Sequence, residues 1–509
     1  MDPRSSTVDD VLRRSAARVP DRVALRFEDR VWTYAELEAA VSRAGAALAE
    51  LDVTKGDRVA AYGRNSDAYL IGFLACARAG LIHVPVNYNL VGDDLTYLVD
   101  QSGSSAVLAD PDLAPRLPEH LSLRQVPLRD APGSLLERAS TGPVPELDVT
   151  VDDTDLVQLL YTSGTTSQPK GAMMTHRALL HEYVSCVLAL DLDEQDVPLH
   201  VMPLYHSAQL HVFLMPALLV GATNHLVEVP EPGDVLERIE RGGNTSFFAA
   251  PTLWVALSNH PDLPHRDLSS LRKAYYGASI MPVPVLRKLR ETLPQLGFYN
   301  AFGQSEIAPL ATVLRPEDHV EGRLDSAGRP VLFVELRVVD ETGADVATGE
   351  QGEVVYRSPQ LATGYWDKPA ETAAAFRDGW FHSGDLVRQD EDGFIYVVDR
   401  VKDVINTGGV LVASRDVEDA LYTHPGVAEV AVIGVSDPKW IEAITAIVVV
   451  QEGTAAGNVT EKSLIAHARE HLSPFKVPKQ VHLVTDLPRN ASGKLLKRVL
   501  RDRFTVPAE

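Results

Sequence analysis

The stretch Tyr161-Thr-Ser-Gly-Thr-Thr-Ser-Gln-Pro-Lys170-Gly171 directly follows the apolar segment Leu156-Val-Gln-Leu-Leu160. It contains five small hydroxyl residues and two glycines within eleven positions. Glycine lets the backbone approach a ligand closely, and turned N–H groups form a cradle for anions, to which Lys170 adds a positive charge. The pattern favours a loop that binds the phosphates of a nucleoside triphosphate, although composition alone would fit a flexible surface loop equally well. It is not a Walker A loop, because no Gly-Lys-Ser/Thr follows at the required spacing.

The chain before this loop predicts alternating strands and helices. Val23–Phe27 alternates apolar and polar residues as a strand does, and Thr33-Tyr-Ala-Glu36 has the spacing of a capping box at a helix start. Residues 59–62 and 82–86 are short apolar strands on either side of a helix predicted over residues 68–79. This β-α-β-α order predicts an open α/β sheet that is covered by helices.

Later segments of the chain change in character. A Pro-rich stretch over residues 110–145 predicts a surface connection, whereas residues 327–398 contain short strands with glycine turns, which are typical of a small β-rich lobe. The charged sequence Asp399-Arg-Val-Lys-Asp403 then marks a break. The helix and strand patterns that follow it predict an independent α+β domain of about 110 residues.

The composition is that of a large globular protein with an acidic excess. Hydrophobic residues make up 45% of the 509 residues, and 48 basic against 70 acidic side chains give a net charge of −22. Such a charge repels phosphate backbones and anionic lipids, which disfavours binding to nucleic acid or to a membrane surface. No apolar run reaches the roughly 20 residues of a membrane-spanning helix. Cys76 and Cys186 are too few for a disulfide framework, so we expect reduced core thiols and a cytoplasmic location.

Four further motifs follow the loop in order along the chain. They are Phe302-Gly-Gln-Ser-Glu306, Trp380-Phe-His-Ser-Gly-Asp385, Asp399-Arg-Val-Lys-Asp403 and Pro488-Arg-Asn-Ala-Ser-Gly-Lys494. Each motif alone also has an ordinary interpretation. These are a glycine turn with a solvated Glu, a Gly-Asp β-turn, a solvated charge run, and a basic helix start in which Lys494, Lys497 and Arg498 face water.

Together with the loop, these motifs resemble the ANL superfamily of adenylate-forming enzymes, which includes the acyl-CoA and aryl-CoA synthetases of the AMP-dependent synthetase and ligase family. The resemblance extends from Asp9 to Arg501, nearly the whole chain. It implies an α/β fold in which a large N-terminal domain, residues 1–399, contains two α/β subdomains and a β-rich lobe. It also implies a small, mobile α+β C-terminal domain, residues 400–509, that contains the catalytic lysine.

The resemblance implies three catalytic residues. Lys494 would meet the acid carboxylate and the α-phosphate and offset the negative charge that develops there. Glu306 would hold Mg²⁺ together with Thr165, and a carboxylate is a suitable hard oxygen ligand for this ion. His206, in Met202-Pro-Leu-Tyr-His206, falls on a position that gates the acyl site in the family.

The same resemblance implies the remaining site residues. ATP and AMP would be bound by Thr162, Ser163, Gly164, Thr165, Thr166, Lys170, Gly277, Ala278, Ser279, Asn300, Ala301, Phe302, Gly303, Gln304, Ser305, Asp385, Val397, Arg400 and Lys494. The acyl pocket would be lined by His206, His211, Trp254, Tyr276, Gly277 and Phe302. Gly408, Gly409 and Val410 would line the tunnel for the thiol, and Lys402 would be the hinge. The alternative for His211 and for the aromatic residues is an ordinary place in the core.

The loop after the predicted hinge departs from the family pattern. It reads Asn406-Thr-Gly-Gly-Val410-Leu411, with two apolar residues where the family usually has a polar pair, and Ile441 replaces a usual glycine. The residues for adenylation are therefore complete, whereas those for transfer to a thiol are altered.

The hypothesis that follows from the motif set is an ATP-dependent carboxylate–CoA ligase. It would form an acyl-adenylate from a fatty or aryl acid and then an acyl-CoA thioester, using ATP, Mg²⁺ and CoA as a monomer or a homodimer. Aromatic residues near the predicted pocket favour a compact or aryl acid. The altered loop leaves open an enzyme that transfers the acyl group to a carrier protein or an amine, or that activates an unusual oxyanion such as nitrite. A catalytically inactive nucleotide-binding protein is disfavoured, because Lys494, Glu306 and Asp385 are all present.

Overall fold

Four β-sheets organise the chain in the computed structural model, which describes residues 5–119, 123–162, 168–279, 281–400, 403–407, 410–437, 439–451, 459–489 and 495–504 and, of residue 400, the backbone. The strands are β1 Val23–Phe27, β2 Arg30–Thr33, β3 Arg58–Tyr62, β4 Ile82–Pro85, β5 Ser104–Ala109, β6 Arg124–Pro127, β7 Leu156–Thr162, β8 Lys170–Thr175, β9 Pro198–His200, β10 Asn224–Leu226, β11 Ser246–Ala249, β12 Lys273–Gly277, β13 Gly297–Gly303, β14 Leu310–Leu314, β15 Arg329–Pro330, β16 Glu335–Val339, β17 Gln351–Arg357, β18 Phe376–Arg377, β19 Trp380–Gln389, β20 Ile395–Arg400, β21 Ile405–Thr407, β22 Val410–Val412, β23 Val427–Asp437, β24 Ile441–Val450 and β25 Gln480–Val484.

Helices cover these sheets. They are α1 Asp10–Arg18, α2 Tyr34–Ala49, α3 Asp67–Arg78, α4 Gly92–Ser102, α5 Leu135–Ser140, α6 His176–Ala189, α7 Met215–Val220, α8 Pro232–Gly242, α9 Pro251–Asn259, α10 Val283–Thr292, α11 Pro369–Ala375, α12 Ser414–Tyr422, α13 Glu461–His471 and α14 Lys497–Phe504. A π-helical segment, Ala208–Leu214, precedes α7. Such segments are rare and are frequently found at functional sites.

A six-stranded sheet in the order β6-β5-β3-β4-β7-β8 holds both ends of the predicted phosphate loop. The first five of these strands run parallel, and β8 is antiparallel to β7. The pairing of β7 with β8 ends where Thr162 lies opposite Lys170. The chain therefore leaves and re-enters this sheet at its edge, where the loop sequence begins and ends.

A nine-stranded sheet in the order β15-β14-β13-β12-β11-β9-β10-β1-β2 forms the second layer. Its central strands are parallel, whereas β2, β14 and β15 run antiparallel to their neighbours. The register places Gly277, at the end of β12, beside Ala301 of β13. In open α/β sheets, ligands bind outside the carboxyl ends of the strands, which is the edge where these residues lie.

Two smaller sheets follow, as the sequence predicts. Strands β16, β17, β18, β19 and β20 form an antiparallel lobe. Strands β22, β21, β24, β23 and β25 form the last sheet, whose apolar core includes residues of α12 and α13 such as Leu421 and Leu464. These two sheets confirm the predicted β-rich lobe and the α+β character of the C-terminal part.

Several local predictions are confirmed by specific contacts. The Thr33 side chain accepts a hydrogen bond from the Glu36 backbone N–H, and the Glu36 carboxylate accepts one from the Thr33 backbone N–H at 2.9 Å, which completes the capping box of α2. The helix predicted over residues 68–79 is present as α3. Its start is fixed by the Ser66 hydroxyl, which accepts from the Tyr69 backbone N–H.

The interpretation of residues 110–145 as a surface connection is wrong in part. This stretch contributes β6 to the edge of the six-stranded sheet and contains α5, whose Leu135 and Ala139 are fully buried in the main core. The prolines that suggested a loop are compatible with this arrangement, because Pro127 lies on an edge strand, where a missing N–H costs little.

The junction between the β-rich lobe and the C-terminal part is a hydrogen-bonded contact. Asp399, near the end of β20, accepts hydrogen bonds from both the backbone N–H and the hydroxyl of Ser414 at 2.7 Å. The Arg415 guanidinium donates to the carbonyl of Val397. The first turn of α12 is therefore fixed to β20.

Two expectations from composition concern thiols and membrane spans. Cys76 and Cys186 are free and buried, as expected of core thiols. Among the described residues, no helix combines the length and the apolar composition needed to cross a bilayer.

Among the described residues of the large N-terminal part, five histidines are buried and are held neutral by burial. Loss of hydration lowers the pKa of His83 and His211 to about 3, and that of His176, His200 and His319 to about 4. An unfolded histidine titrates near pH 6.5, so the unfolded chain binds more protons than the folded one between these values.

Stability is therefore expected to fall as the pH is lowered from 7 to 5. Above about pH 6.5 each of these histidines is neutral in both the folded and the unfolded chain, and the folded state has its full stability. At pH 5, protonation of the unfolded chain lowers the free energy of unfolding by about 2 kcal/mol per histidine. Burial raises the pKa of Glu182, Asp9 and Asp419, which acts in the opposite direction, but five histidines outweigh three carboxyl groups. Thermal unfolding followed by circular dichroism at constant ionic strength measures the effect. A melting temperature that is equal or higher at pH 5 would contradict it.

Candidate active site

The strand that follows the predicted phosphate loop is fixed to the segment 363–366. The backbone N–H of Met173 donates to the Gly364 carbonyl at 2.9 Å, and that of Trp366 donates to the Gly171 carbonyl at 2.8 Å. The Lys170 ammonium lies 5.0 Å from the centroid of the Tyr365 ring, a cation–π contact. Lys170 is thus held at the mouth of the predicted loop by an aromatic ring that is distant in sequence.

Tyr365 also contacts the predicted metal-binding carboxylate. Its hydroxyl donates a hydrogen bond of 2.9 Å to Oε1 of Glu306, and the Ala362 backbone N–H donates to the Glu306 carbonyl at 2.8 Å. Glu306 is buried, with 8% of its surface exposed. The structure therefore brings together Lys170, Glu306 and Tyr365.

Ser305 joins this group to the segment around His206. The hydroxyls of Ser305 and Ser207 lie 3.0 Å apart, at hydrogen-bond distance. The preceding side chain, Gln304, has a buried Nε2 without a hydrogen-bond partner in the part of the chain that the structure describes. An unpaired buried donor is costly in a protein, so this amide is available to a polar ligand.

Two glycines of the predicted nucleotide site are required by close backbone contacts. A Cβ atom at Gly277 would lie 2.2 Å from the carbonyl oxygen of Ala301, and one at Gly303 would lie 2.0 Å from that of Pro309. Next to Gly277, Ala278 has a positive φ of 64°. Asn300 of β13 donates to the carbonyl of Ser326 at 2.9 Å. The strand ends at this edge are thus packed backbone to backbone.

The predicted ribose-binding residue, Asp385, is buried in the β-rich lobe. Its backbone N–H donates to the Ser383 hydroxyl at 3.0 Å, and the Gly384 N–H donates to the Glu353 carboxylate at 2.8 Å. In the antiparallel pairing of β19 with β20, the backbone of Asp385 lies opposite that of Arg400. Val397 lies on the same strand as Arg400, so the lobe brings these three predicted residues onto adjoining strands.

The predicted acyl-site residues lie at the centre of the large domain. His211 is fully buried, with Nδ1 2.8 Å from the Tyr183 hydroxyl and Nε2 2.6 Å from Oε1 of Gln158. Trp254 donates to the Tyr275 carbonyl at 3.0 Å. These contacts are those of core side chains, and their predicted role in the pocket remains a prediction, as does that of Tyr276, His206 and Phe302.

The residues that depart from the family pattern are exposed apolar side chains. Val410, Leu411 and Ile441 are all exposed. Thr407 of β21 pairs with both Val410 of β22 and Ile441 of β24, so these two residues flank the same strand.

Several predicted residues lie outside the described residues. They are Ser163, Gly164, Thr165, Thr166, Lys402, Gly408, Gly409 and Lys494. The proposed solvation of the basic helix after Lys494 is wrong for Lys497, which forms an ion pair of 2.8 Å with Glu418, whereas Arg498 is exposed.

A buried carboxyl group behind the site is a feature that the sequence analysis missed. Glu182 of α6 is fully buried and accepts hydrogen bonds from the Leu310 backbone N–H at 2.9 Å and from Nε2 of Gln360 at 2.5 Å. The Gln360 amide also donates to the Leu310 carbonyl. This network fixes the chain immediately after Glu306. The available signal was a single acidic residue within this helix.

Comparisons with known proteins agree with this geometry. Residues 12–366 match the AMP-binding enzyme family, and residues 416–494 match the AMP-binding enzyme C-terminal domain. Feruloyl-CoA synthase of Amycolatopsis sp is 39% identical over 491 residues, which cover 96% of this chain and 98% of that protein. A medium/long-chain-fatty-acid–CoA ligase of Mycobacterium tuberculosis is 37% identical over 436 residues, 81% of this chain and 75% of that one.

A solved structure extends the agreement to three dimensions. The anthranilate CoA ligase AuaEII in complex with anthranoyl-AMP superposes with a TM-score of 0.92 at 26% identity, covering 99% of this chain and 98% of that one. The predicted α/β fold and the resemblance to the ANL superfamily are thereby confirmed. The chain therefore belongs to the AMP-binding enzyme family, as a ligase that uses ATP to join a carboxylic acid to coenzyme A.

Proposed function

We propose that the acid this ligase activates is a compact aryl acid. The main support is an aromatic cluster beside the predicted acyl segment, in which Phe213 stacks on Phe248 with ring centroids 4.3 Å apart and lies 5.1 Å from Tyr275. The side chains around this cluster leave a cavity of about 10 Å³. A space of this size holds at most about one water molecule, so any acid that enters here requires the cluster to open, and a flat ring would then be stabilised by its aromatic neighbours.

The relatives support the same class of acid. Feruloyl-CoA synthase and the anthranilate CoA ligase are both named for aryl acids, and each comparison covers at least 96% of this chain. Two fatty-acid ligases are less similar in sequence than the feruloyl-CoA synthase, at 37% identity over 81% of this chain and 31% identity over 98%.

The nucleotide would bind across the group of Lys170, Ser305 and Gln304, with its ribose at Asp385. Lys170 supplies positive charge, and the Ser305 hydroxyl and the unpartnered Gln304 amide supply hydrogen-bond donors for phosphate oxygens. Asp385 supplies a buried carboxylate for the ribose hydroxyls. These roles are assigned by the family pattern and supported by the proximity of the side chains.

Glu306 fits a magnesium site. The Tyr365 hydroxyl orients Oε1 of Glu306, and no described residue forms a hydrogen bond with its Oε2. Mg²⁺ is usually held by one or two carboxylates together with substrate phosphates, and it would neutralise phosphate charge when bound. Thr165, the other residue proposed here, lies outside the described residues.

In the proposed reaction, a carboxylate oxygen of the acid attacks the α-phosphorus of ATP and pyrophosphate leaves. Lys494 would offset the charge that develops at the α-phosphate. The sulfur of CoA then attacks the acyl carbon, and AMP departs as the C–O bond breaks. His206 would close the acyl site during these steps.

We also propose two domains, residues 1–399 and 400–509, with Lys402 as the hinge. Support comes from the junction, where the described contacts of Asp399 and Arg415 are polar and can be exchanged for water. The thiol of CoA would approach along residues 408–410, near the exposed side chains of Val410, Leu411 and Ile441. A cytoplasmic location is supported by the free thiols, and a homodimer remains a proposal from the family.

Aryl acids are expected to be the better substrates. We expect kcat/KM for a hydroxycinnamate or an aminobenzoate to exceed that for decanoate or hexadecanoate by at least about tenfold, because pocket shape discriminates by 1–3 kcal/mol. ATP–pyrophosphate exchange measures adenylation, and thioester formation is then measured with CoA. Thioesters formed best from fatty acids would refute the aryl proposal alone. Exchange without any thioester would instead indicate another acceptor.

Replacing Tyr365 by Phe is expected to weaken adenylation. The change removes the hydrogen bond that orients Glu306, and loss of such a partner of a metal ligand reduces metal affinity about 10–100-fold. Exchange rates measured against Mg²⁺ concentration should show a higher half-saturating concentration. The matched control is Tyr396→Phe, which removes a hydroxyl bonded to Asp390 in the β-rich lobe and should behave as the parent enzyme. Equal Mg²⁺ dependence in both variants would contradict the assignment.

Lys494→Ala is expected to reduce adenylation by at least about 10²-fold, the effect of removing a group that stabilises transition-state charge. Arg498→Ala is the control, because Arg498 is an exposed cation four residues later. Pyrophosphate exchange with a saturating acid is the measurement. An equal loss of activity in both variants would contradict the specific role of Lys494, because it would indicate that the basic helix start acts only through its net charge.

A further inference from the structure

We propose that the C-terminal part contains a binding site for a transition-metal cation such as Zn²⁺, formed by His467, Glu470 and His471. None of these residues belongs to the proposed nucleotide, acyl or thiol sites. They are the last residues of α13, in the sequence His467-Ala-Arg-Glu470-His471. On a helix, residues three and four apart share one face, so all three side chains can converge.

The side chains do converge. One potential ligand atom from each of the three residues lies within 4.8 Å of the other two. The two imidazole rings have centroids 4.4 Å apart. Among the described residues, this is the one group of three or more His, Cys, Asp or Glu side chains that meets this spacing.

The hydrogen bonds of His467 select the tautomer that can bind a metal. The Thr423 hydroxyl donates its proton to the Ala420 carbonyl at 2.7 Å, so its oxygen acts as an acceptor toward Nε2 of His467 at 2.8 Å. The Ala420 carbonyl, 3.2 Å from the same Nε2, is also an acceptor. Nε2 therefore holds the proton, and Nδ1 has a free lone pair. Histidine ligands of metals usually donate their other N–H to an oxygen in this way.

His424 is a neighbour of the site and is not a ligand in this arrangement. Its ring lies edge-on to that of His467 with centroids 5.1 Å apart. Its Nδ1 accepts a hydrogen bond from the Gly426 N–H at 3.1 Å, so the proton of the neutral ring is on Nε2. The site thus offers three protein ligands and leaves the fourth position to water.

The ligand chemistry favours Zn²⁺, Ni²⁺ or Cu²⁺ over Mg²⁺ or Ca²⁺. Imidazole suits the first group, whereas the second prefers an all-oxygen set. Two imidazoles and one carboxylate are a known ligand set for tetrahedral zinc with an open position. Arg469, two residues from His467, lies on a different face of the helix, where its charge adds to burial in lowering the pKa of Lys479. Its charge is therefore directed away from the three ligands.

A bound cation would be held by one helix and linked to a second one through His467. All three ligands belong to the end of α13, and His467 is also hydrogen-bonded to Thr423 and Ala420, at the end of α12. Metal binding would therefore fix the end of α13 against α12, and a ligand that binds only the folded state raises its stability.

The test is a Zn²⁺ titration of the tag-free full-length chain in competition with a chromophoric chelator and in excess Mg²⁺. We expect one equivalent to bind to the parent protein and His471→Ala to bind at least about tenfold more weakly. His471 is exposed, so its loss should leave the fold intact. His265→Ala removes an exposed histidine of the large domain and is the matched control. Equal affinity in His471→Ala and His265→Ala would overturn the proposal.

Two further measurements distinguish a defined site from loose binding by a surface histidine. Thr423→Val removes the nearer acceptor for His467, leaves only the longer contact of 3.2 Å to the Ala420 carbonyl, and should weaken Zn²⁺ binding by about tenfold while both imidazoles remain. Co²⁺ should give the intense visible absorption of a tetrahedral site in the parent protein, and this band should disappear in His471→Ala. ATP–pyrophosphate exchange should be unchanged in His471→Ala. An unchanged affinity in Thr423→Val, or an octahedral Co²⁺ spectrum in the parent protein, would refute the site as described.

Discussion

The hydrogen bond from Tyr365 to Glu306 is the contact on which the arrangement of the site depends. It connects the segment 363–366, whose backbone is hydrogen-bonded to β8, with the turn that follows β13. Through this hydrogen bond, a segment attached to the six-stranded sheet contacts a turn that follows a strand of the nine-stranded sheet. The two sheets have separate strand orders and no shared strand in the described chain, so their relative position is set by a common apolar core together with polar contacts of this kind.

This contact is supported from the interior by a second polar network. Glu182 is buried without a basic partner in the described chain, and its pKa is raised well above the usual value because burial disfavours its charge. A buried acid is tolerated when its oxygens are hydrogen-bonded, which here involves Leu310 and Gln360. Because these partners immediately follow Glu306 and precede Tyr365, the same network limits how far either end of the Tyr365–Glu306 contact can move.

The sequence predicts the fold well where local patterns are sufficient. Spacing and polarity predict the capping box at Thr33, the helix α3 and the alternation of strands and helices along the chain. The ordered motifs predict the family. The helix α5 was missed because its apolar residues lie among prolines and charges, and tertiary packing decides its burial. The contact between Lys170, Tyr365 and Glu306 joins residues that are far apart in the chain, so spacing alone could not predict it. The proton position on His467 likewise depends on Thr423, a partner on another helix.

The contact of Asp399 with Ser414 has an energetic consequence for the orientation of the C-terminal part. Asp399 acts as a borrowed N-cap for α12, whose own capping residue, Ala413, has no side-chain oxygen. Moving α12 away from β20 would leave that helix end to water, at a cost of about 1 kcal/mol for a lost cap, and would also break the hydrogen bond from Arg415 to the Val397 carbonyl. A difference of a few kcal/mol leaves a minor orientation populated at about 0.1–10%, within the range that binding of one ligand can reverse. The contact of Asp399 with Ser414 would then hold α12 against β20 only weakly, and breaking it would expose the helix terminus to water rather than an apolar core.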